Sequence, residues 1–468
     1  MIKNLEALSS RGNVGGRKVV LEILETGLKA PDSYPNVRKM LRIENGKLFI
    51  GHPDFFQQIV DKPALPLVFN LKDVKNIYVV GGGKAVQRQA EAVEDVLGDR
   101  ITDSQLQLKK GEEVRLKKIK VTLAGHPIPD EDSVKGAQRI LDIERKAKEG
   151  DIVFFCTSGG GTALKALPAP GISLVDLQKV YRILYFGCGA SMPESNAVRN
   201  LLTLVRGKHA KNVKGATVIE LSTPEQPPVF RVHVFRTPTH LEAYDAAIGV
   251  LKDYQCWDKI PEAVRGYLEK RDPRFLPPTP EEWRQRPYYR FRVMGPEYMI
   301  EAARKKSEEM GLNTTVLATT LNDVAARDLG GMLASIAEEV EVLGRPLKPP
   351  CVFISGGEAV VAIGDETGVG GRNQELCLAA AMRIEGSKNT VIGSVDSDGT
   401  DGPTDAAGAI VDGETMGRIR KAGFNLNQEL SHHNSFPVLN ALDDIIYTGR
   451  TSTNVRDLRV VYVGGRLA

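Results

Sequence analysis

An α/β protein of two domains is what the sequence predicts, the first with a doubly wound, mostly parallel sheet and the second with a mixed sheet. Three observations predict it. Short, continuous apolar runs such as 77–80 and 152–156 alternate with stretches of helical periodicity. Both of those runs end in a glycine-rich turn, Gly81-Gly82-Gly83-Lys84 and Ser158-Gly159-Gly160-Gly161-Thr162. A proline-punctuated stretch then divides two such α/β patterns. Strands that are apolar along their whole length belong to parallel sheets covered on both faces by helices.

Taken in order, 77–80 reads as a buried strand and 85–97 as the helix after it. Residues 119–124 are a strand, and 130–148 a helix with Val134, Ala137, Ile140, Leu141 and Ile143 at helical spacing. Residues 152–156 form the third strand and 173–184 the next helix. This alternation is Rossmann-like, and ligands of such sheets bind outside the carboxyl ends of the strands. Pro261, Pro273, Pro277, Pro278, Pro280 and Pro287, with charges between them, mark 258–289 as a linker. The domains are therefore expected at 1–257 and 290–468. Beyond the linker come a helix (298–310), a strand (314–318) and a long helix (325–343). A strand pair, 351–355 and 359–363, turns around Gly356-Gly357 and predicts the mixed character of the second sheet. A glycine loop, a helix (376–382) and a strand (391–395) follow, and the active site is expected in the cleft between the domains.

The composition excludes several classes. With 62 Lys+Arg against 59 Asp+Glu, the net charge of +3 gives no basic field for nucleic acid. No apolar run approaches the roughly 18 residues that span a bilayer, and no signal-peptide core opens the chain. The five cysteines are scattered without Cys-x-x-Cys spacing, as expected of buried thiols in a reducing compartment. A cytoplasmic protein with small-molecule ligands follows as the expectation; the oligomeric state is left open, a homodimer included.

The chemistry-bearing turns all suggest anions. Gly368-Val369-Gly370-Gly371-Arg372-Asn373-Gln374-Glu375 places glycines, an arginine and a helix start in one loop, the ingredients of a phosphate or carboxylate cradle. Lys84 opens the helix after the first glycine turn, although the spacing fits neither a P-loop nor a dinucleotide fingerprint. Locally this is a phosphate clamp or a plain βα turn. The amides and hydroxyls of Ser158, Gly159, Gly160, Gly161 and Thr162 could cradle a carboxylate or phosphate. Asp398, Asp401 and Asp405, interleaved with glycines, read equally as Mg²⁺ or ribose ligands and as Asx turns. His126, in Gly125-His126-Pro127-Ile128-Pro129-Asp130, reads as a turn residue more readily than a substrate ligand.

Together with Glu194-Ser195-Asn196-Ala197-Val198-Arg199, Ser355-Gly356-Gly357-Glu358, the run from Asp398 to Ala409, and Thr453-Asn454-Val455, these turns resemble the glycerate 2-kinase family in motif order over nearly the whole chain. The resemblance implies ATP-dependent transfer of the γ-phosphoryl group to the 2-hydroxyl of D-glycerate, with Mg²⁺. It puts the catalytic lysine at Lys84 and the catalytic arginine at Arg372. It implies that Ser158, Gly159, Gly160, Gly161, Thr162, Asn196 and Arg199 hold the hydroxy acid. Nucleotide contacts fall on Gly357, Glu358, Gly370, Gly371, Asn373, Asp398, Asp401, Thr453 and Asn454, and the metal on Asp398 and Asp401. Where the family carries acidic positions near the end of the first domain, residues 220–239 of this chain read differently, and they are expected to shape the substrate side. Kinases of other small hydroxy acids, hydroxypyruvate reductase and a non-catalytic ligand-binding homologue are the alternatives.

Overall fold

In the computed structural model, residues 1–57, 63–224, 242–279, 282, 287–363 and 368–465 are described. They form two compact units. One comprises residues 32–224 and the chain through Met294; the other joins Met1–Pro31 to Gly295–Ala468.

The first unit carries a small antiparallel sheet of β1 (Leu41–Glu44), β2 (Lys47–Ile50) and β4 (Leu67–Asn70). Its main sheet has seven strands. Running across it are β3 (Phe56–Gln57), β10 (Tyr288–Arg292), β9 (Thr217–Thr223), β8 (Ile152–Ser158), β5 (Ile77–Gly82), β6 (Asp103–Lys109) and β7 (Val121–Ala124). All neighbours are parallel except the edge pair β3–β10. Every residue of β5 and β8 is buried, which is why these two strands read as unbroken apolar runs. The helix Glu131–Lys146 starts at a capping box in which Asp130 accepts from Ser133 N at 2.9 Å and Ser133 returns to the Asp130 amide.

The second unit has a six-stranded mixed sheet. Its order is β11 (Asn313–Ala318), β12 (Cys351–Gly357), β16 (Asp457–Val463), β13 (Thr390–Asp396), β14 (Gly408–Asp412), β15 (Ile445–Ile446). Only β11–β12 is parallel. The mixed character is as expected, but its source is not. Residues 359–363 form no strand; Val360 makes an isolated bridge to Ala325, and the antiparallel partner of β12 is the C-terminal β16.

The division of the chain differs from the expectation in two places. Residues 1–31 pack with the C-terminal unit. The helix Val14–Lys29 buries Val20, Leu21, Ile23, Leu24 and Leu28 against β13 and β16, and a Cβ on Gly16 would stand 2.6 Å from Val391. Arg17, fully buried, is held by Asp412 and by Asp444 Oδ1 at 2.8 Å. The 258–289 stretch is not a spacer either. It contains the helix Glu262–Lys270, and β10 beyond it inserts beside β9 in the first sheet. Pro261 and Pro273 sit at helix starts and Pro287 just before the strand, where a missing N–H costs little.

Candidate active site

Each unit presents a cluster built from the motif residues. In the first unit β5 and β8 are neighbours, paired Gly82 to Thr157, so the turns that follow them lie side by side at the carboxyl ends of the strands. Lys84 N donates to Gly159 O at 2.9 Å, and Ala85 N to Ser158 Oγ at 2.9 Å. Gly81 (φ +149°), Gly83 (φ +158°) and Gly160 (φ +82°) adopt backbone that L side chains rarely adopt. A Cβ on Gly160 would stand 2.8 Å from Lys84 Cγ and 3.2 Å from His126 Nε2. Lys84, the 158–160 turn and His126 thus share one spot. Ser158 spends its hydroxyl on the neighbouring turn, a scaffolding role.

Thr162 Oγ1 donates to Asn196 Oδ1 at 3.2 Å, and the same oxygen accepts from Arg199 Nη2 at 2.8 Å. Arg199 is fully buried, its guanidinium 5.0 Å from the ring centre of Tyr181 and 4.6 Å from that of Tyr185. Its other donors go to Ser195 O and Tyr185 OH. It reaches the turn through Asn196. Behind the turn, buried Glu220 accepts from Thr157 Oγ1 at 3.1 Å and Arg290 Nε at 2.7 Å. Burial pushes the Glu220 carboxyl up, but Arg290 and Tyr288 outweigh it and hold it below its ordinary value. Of the divergent stretch 220–239, only 220–224 lies among the described residues.

In the second unit the helix Arg372–Arg383 follows the glycine loop, and its first amides are already capped. Asp401 accepts from Asn373 N, Gln374 N at 3.0 Å, Asn373 Nδ2 at 3.2 Å and Gln374 Nε2 at 3.1 Å, and it is fully buried. An internal carboxylate therefore occupies the place at these amides that the loop suggested for a ligand. The glycines have protein behind them as well. A Cβ on Gly371 would run into the Asp401 carboxylate, one on Gly370 into Ser435, and one on Gly368 into the backbone of His432. Burial raises the Asp401 carboxyl above its ordinary value, Arg372 opposing. Asp398 closes an Asx turn, accepting from Thr400 N at 2.9 Å and Oγ1 at 2.7 Å.

Arg372 is gripped by acids. Its Nε and Nη2 fork onto Asp457 at 2.8–3.1 Å, Nη2 reaches Asp396 at 2.6 Å, and Nη1 lies 3.4 Å from Glu358. Burial disfavours its charge, yet Asp457, Asp396 and Glu358 raise its pKa well above the ordinary value. Asp457 also takes Asn373 Nδ2 at 3.1 Å and Arg459 Nη2 at 2.9 Å, and Arg459 donates to Gly356 O and Gly357 O. Thr453 Oγ1 donates to Pro31 O at 3.0 Å, and both Thr453 and Asn454 are buried. Sequence reasoning missed Asp396, Asp457 and Arg459; only Asp396, at a strand end beside the aspartate run, carried a readable signal.

Among the described residues no three of His, Cys, Asp and Glu are grouped to hold a metal, and no helix is long and apolar enough to cross a membrane. The Asp401 carboxylate accepts from the helix start, and Asp398 Oδ1 accepts from Thr400.

A family model described as a domain of unknown function, DUF4147, matches residues 19–269, and the MOFRL family model matches 351–457. The chain is 34% identical over 452 residues to a glycerate 2-kinase of Pyrococcus horikoshii, covering 96% of this chain and 97% of that one. It is 35% identical over 395 residues to a D-glycerate 2-kinase of Thermotoga maritima, covering 82% and 90%. A crystal structure of a glycerate kinase from Thermotoga maritima superposes with a TM-score of 0.71 at 30% identity, covering 95% of this chain and 99% of that one.

Proposed function

The chain belongs to the glycerate 2-kinase family, and on that premise we propose that it is an ATP-dependent kinase that phosphorylates the 2-hydroxyl of D-glycerate to give 2-phosphoglycerate. The observation that carries the reading is the lodging of Lys84 against the 158–160 turn at the carboxyl ends of β5 and β8. Phosphoryl transfer asks little covalent chemistry of a protein and much positioning and positive charge. Lys84 supplies an ammonium there. The amides of Gly159, Gly160 and Gly161, with Thr162 and Asn196, are assigned to the carboxylate and hydroxyls of the acid. Arg199 acts at one remove, fixing Asn196.

Arg372 is assigned to the transferred group, and Nη1, which among the described residues has only Glu358 at 3.4 Å, is the nitrogen it can offer. Gly357, Glu358, Gly370, Gly371, Asn373, Asp398, Thr453 and Asn454 remain the proposed nucleotide side. Mg²⁺, which supplies charge neutralisation to phosphates when bound, fits as the nucleotide's companion and not as the occupant of an Asp398–Asp401 site. The five free thiols favour a reducing, cytoplasmic setting.

The test is ATP turnover with D-glycerate, erythronate and related acids, the product read by phosphorus NMR. A 2-phosphoglycerate signal is expected. A 3-phosphoglycerate signal, turnover only with another acid, or NADH oxidation with hydroxypyruvate would each replace the reading. Lys84→Ala is expected to lower kcat by at least ~100-fold with the melting temperature nearly unchanged, because the side chain is only half-buried; unchanged kcat would remove Lys84 from the chemistry, and no turnover of any acid by the wild type would point to a binding protein.

A further inference from the structure

Lys165 is an unusual cation. Its side chain is 0% exposed, and its Nζ has no hydrogen-bond partner among the described residues. Other buried cations have acceptors: Arg17 has Asp412 and Asp444, Arg199 has Ser195 O and Asn196, and Arg459 has Asp457 and two carbonyls. Among the described residues Lys165 Nζ has only the face of the Phe155 ring, 4.8 Å away. An ammonium with three unanswered N–H groups out of water is heavily penalised, whereas a neutral amine is not.

Its position connects it to the site. A Cβ on Gly161 would stand 3.4 Å from Lys165 Nζ, and one on Gly82 would stand 3.0 Å from its Cγ. The amine therefore lies on the inner side of the stacked turns, while Lys84 and His126 lie against Gly160. The groups facing it are Cys156 on β8, Glu220 on β9, Glu144 on the helix Glu131–Lys146, Arg206 and His209. The acids are engaged elsewhere: Glu144 by His209 and Asn212, Glu220 by Thr157, Tyr288 and Arg290. Burial first, then Arg206, bring the amine down to about 7 against the pull of Glu144 and Glu220.

We propose that Lys165 is a positioning residue, held as a neutral amine beneath the 158–162 turn, which takes up a proton from solvent when the carboxylate of the substrate seats in that turn. The second half rests on the hydroxy-acid reading above; the first half does not. The bound anion supplies the counter-charge that the fold withholds, and no other bond changes. By linkage, a ligand that draws in a proton binds more weakly as protons become scarce, so affinity falls as pH rises above 7.

Two measurements on wild type and Lys165→Met decide it, with Lys165→Gln as a second variant should the first fold poorly. If the folded amine titrates below the ~10.4 of an unfolded lysine, the unfolded chain binds the extra proton between those values. Wild-type stability then rises with pH across that window. Lys165→Met is expected to melt above wild type at pH 7, the gap closing by pH 10. A gap independent of pH means a lysine charged throughout and overturns the proposal. Calorimetric titration of D-glycerate at pH 8, in two buffers of different ionisation heat, is expected to show uptake of nearly one proton by wild type and none by the variant. The wild-type Kd is expected to rise by up to tenfold per pH unit above 7. Equal uptake by both proteins assigns the proton elsewhere and overturns the coupling. Absence of D-glycerate binding by wild type overturns the hydroxy-acid reading and the coupling with it, while the melting curves still decide the state of the amine.

Discussion

Asp457 gathers more of the second unit's site than any residue the motifs named. Its two oxygens tie Arg372, Asn373 and Arg459, and through Arg459 the carbonyls at the end of β12. Burial works against its charge, but Arg372 and Arg459 hold its carboxyl below the ordinary range. Asp457→Asn keeps the shape and removes the charge. It leaves the fully buried Arg459 without its anion and the partly buried Arg372 with Asp396 and Glu358, at a cost of about 3 kcal/mol in denaturant unfolding. If Arg372 acts on the phosphoryl group, kcat is also expected to fall about tenfold or more, with KM for glycerate little changed, because aim is lost and not binding. Unaltered kcat in the folded variant would separate Asp457 from the chemistry.

At the scale of the element, the helix Arg372–Arg383 shows how a motif can be read correctly as a helix start and differently as a site. The glycine loop and the arginine are where the sequence puts them, and the helix begins at Arg372 itself, ahead of the 376–382 run that predicts it. The anion at the first amides is Asp401, carried there by a loop nearly thirty residues later. Asp401→Asn keeps a side-chain acceptor but loses the charge-assisted bonds to two amides, and about 1–3 kcal/mol of stability with them. Its Mg²⁺ dependence is expected to match wild type; a higher Mg²⁺ requirement would return Asp401 to the role of metal ligand. The β5 and β8 turns behave the opposite way. There the glycines were legible because a buried strand ending in consecutive glycines leaves few structural explanations, and the strand order makes the two turns neighbours.

For the whole molecule, the N-terminal segment is the main surprise. The helix Val14–Lys29 has an ordinary amphipathic pattern that any sheet face could cover, so sequence proximity assigned it to the first domain. It covers β13 and β16 because Gly16 and Gly27 permit close approach and Arg17 finds Asp412 and Asp444. Arg17→Met would leave buried Asp412 without its cation, while Asp444 keeps Arg418 at 2.6 Å, and is expected to cost about 3 kcal/mol, measured by chemical denaturation. A C-terminal fragment cut at residue 290 would expose the face that this helix covers and is expected to aggregate, whereas one with residues 1–31 restored in trans or by fusion should stay soluble.

What the sequence determined by itself was local. Continuous apolar runs, helical spacing, capping residues and glycine turns specify the element types, the α/β class and the family, since each depends on residues within a few positions of one another. What only the tertiary structure decided was long-range: which sheet owns residues 1–31, that β16 and not residues 359–363 pairs with β12, and that Asp401 and Asp457 complete a loop some thirty and eighty-five positions away in the chain. A carboxylate on a strand looks the same in sequence whether it faces solvent or an arginine. Its meaning comes from burial, where an unpaired charge is too costly to leave alone and every partner becomes part of the site.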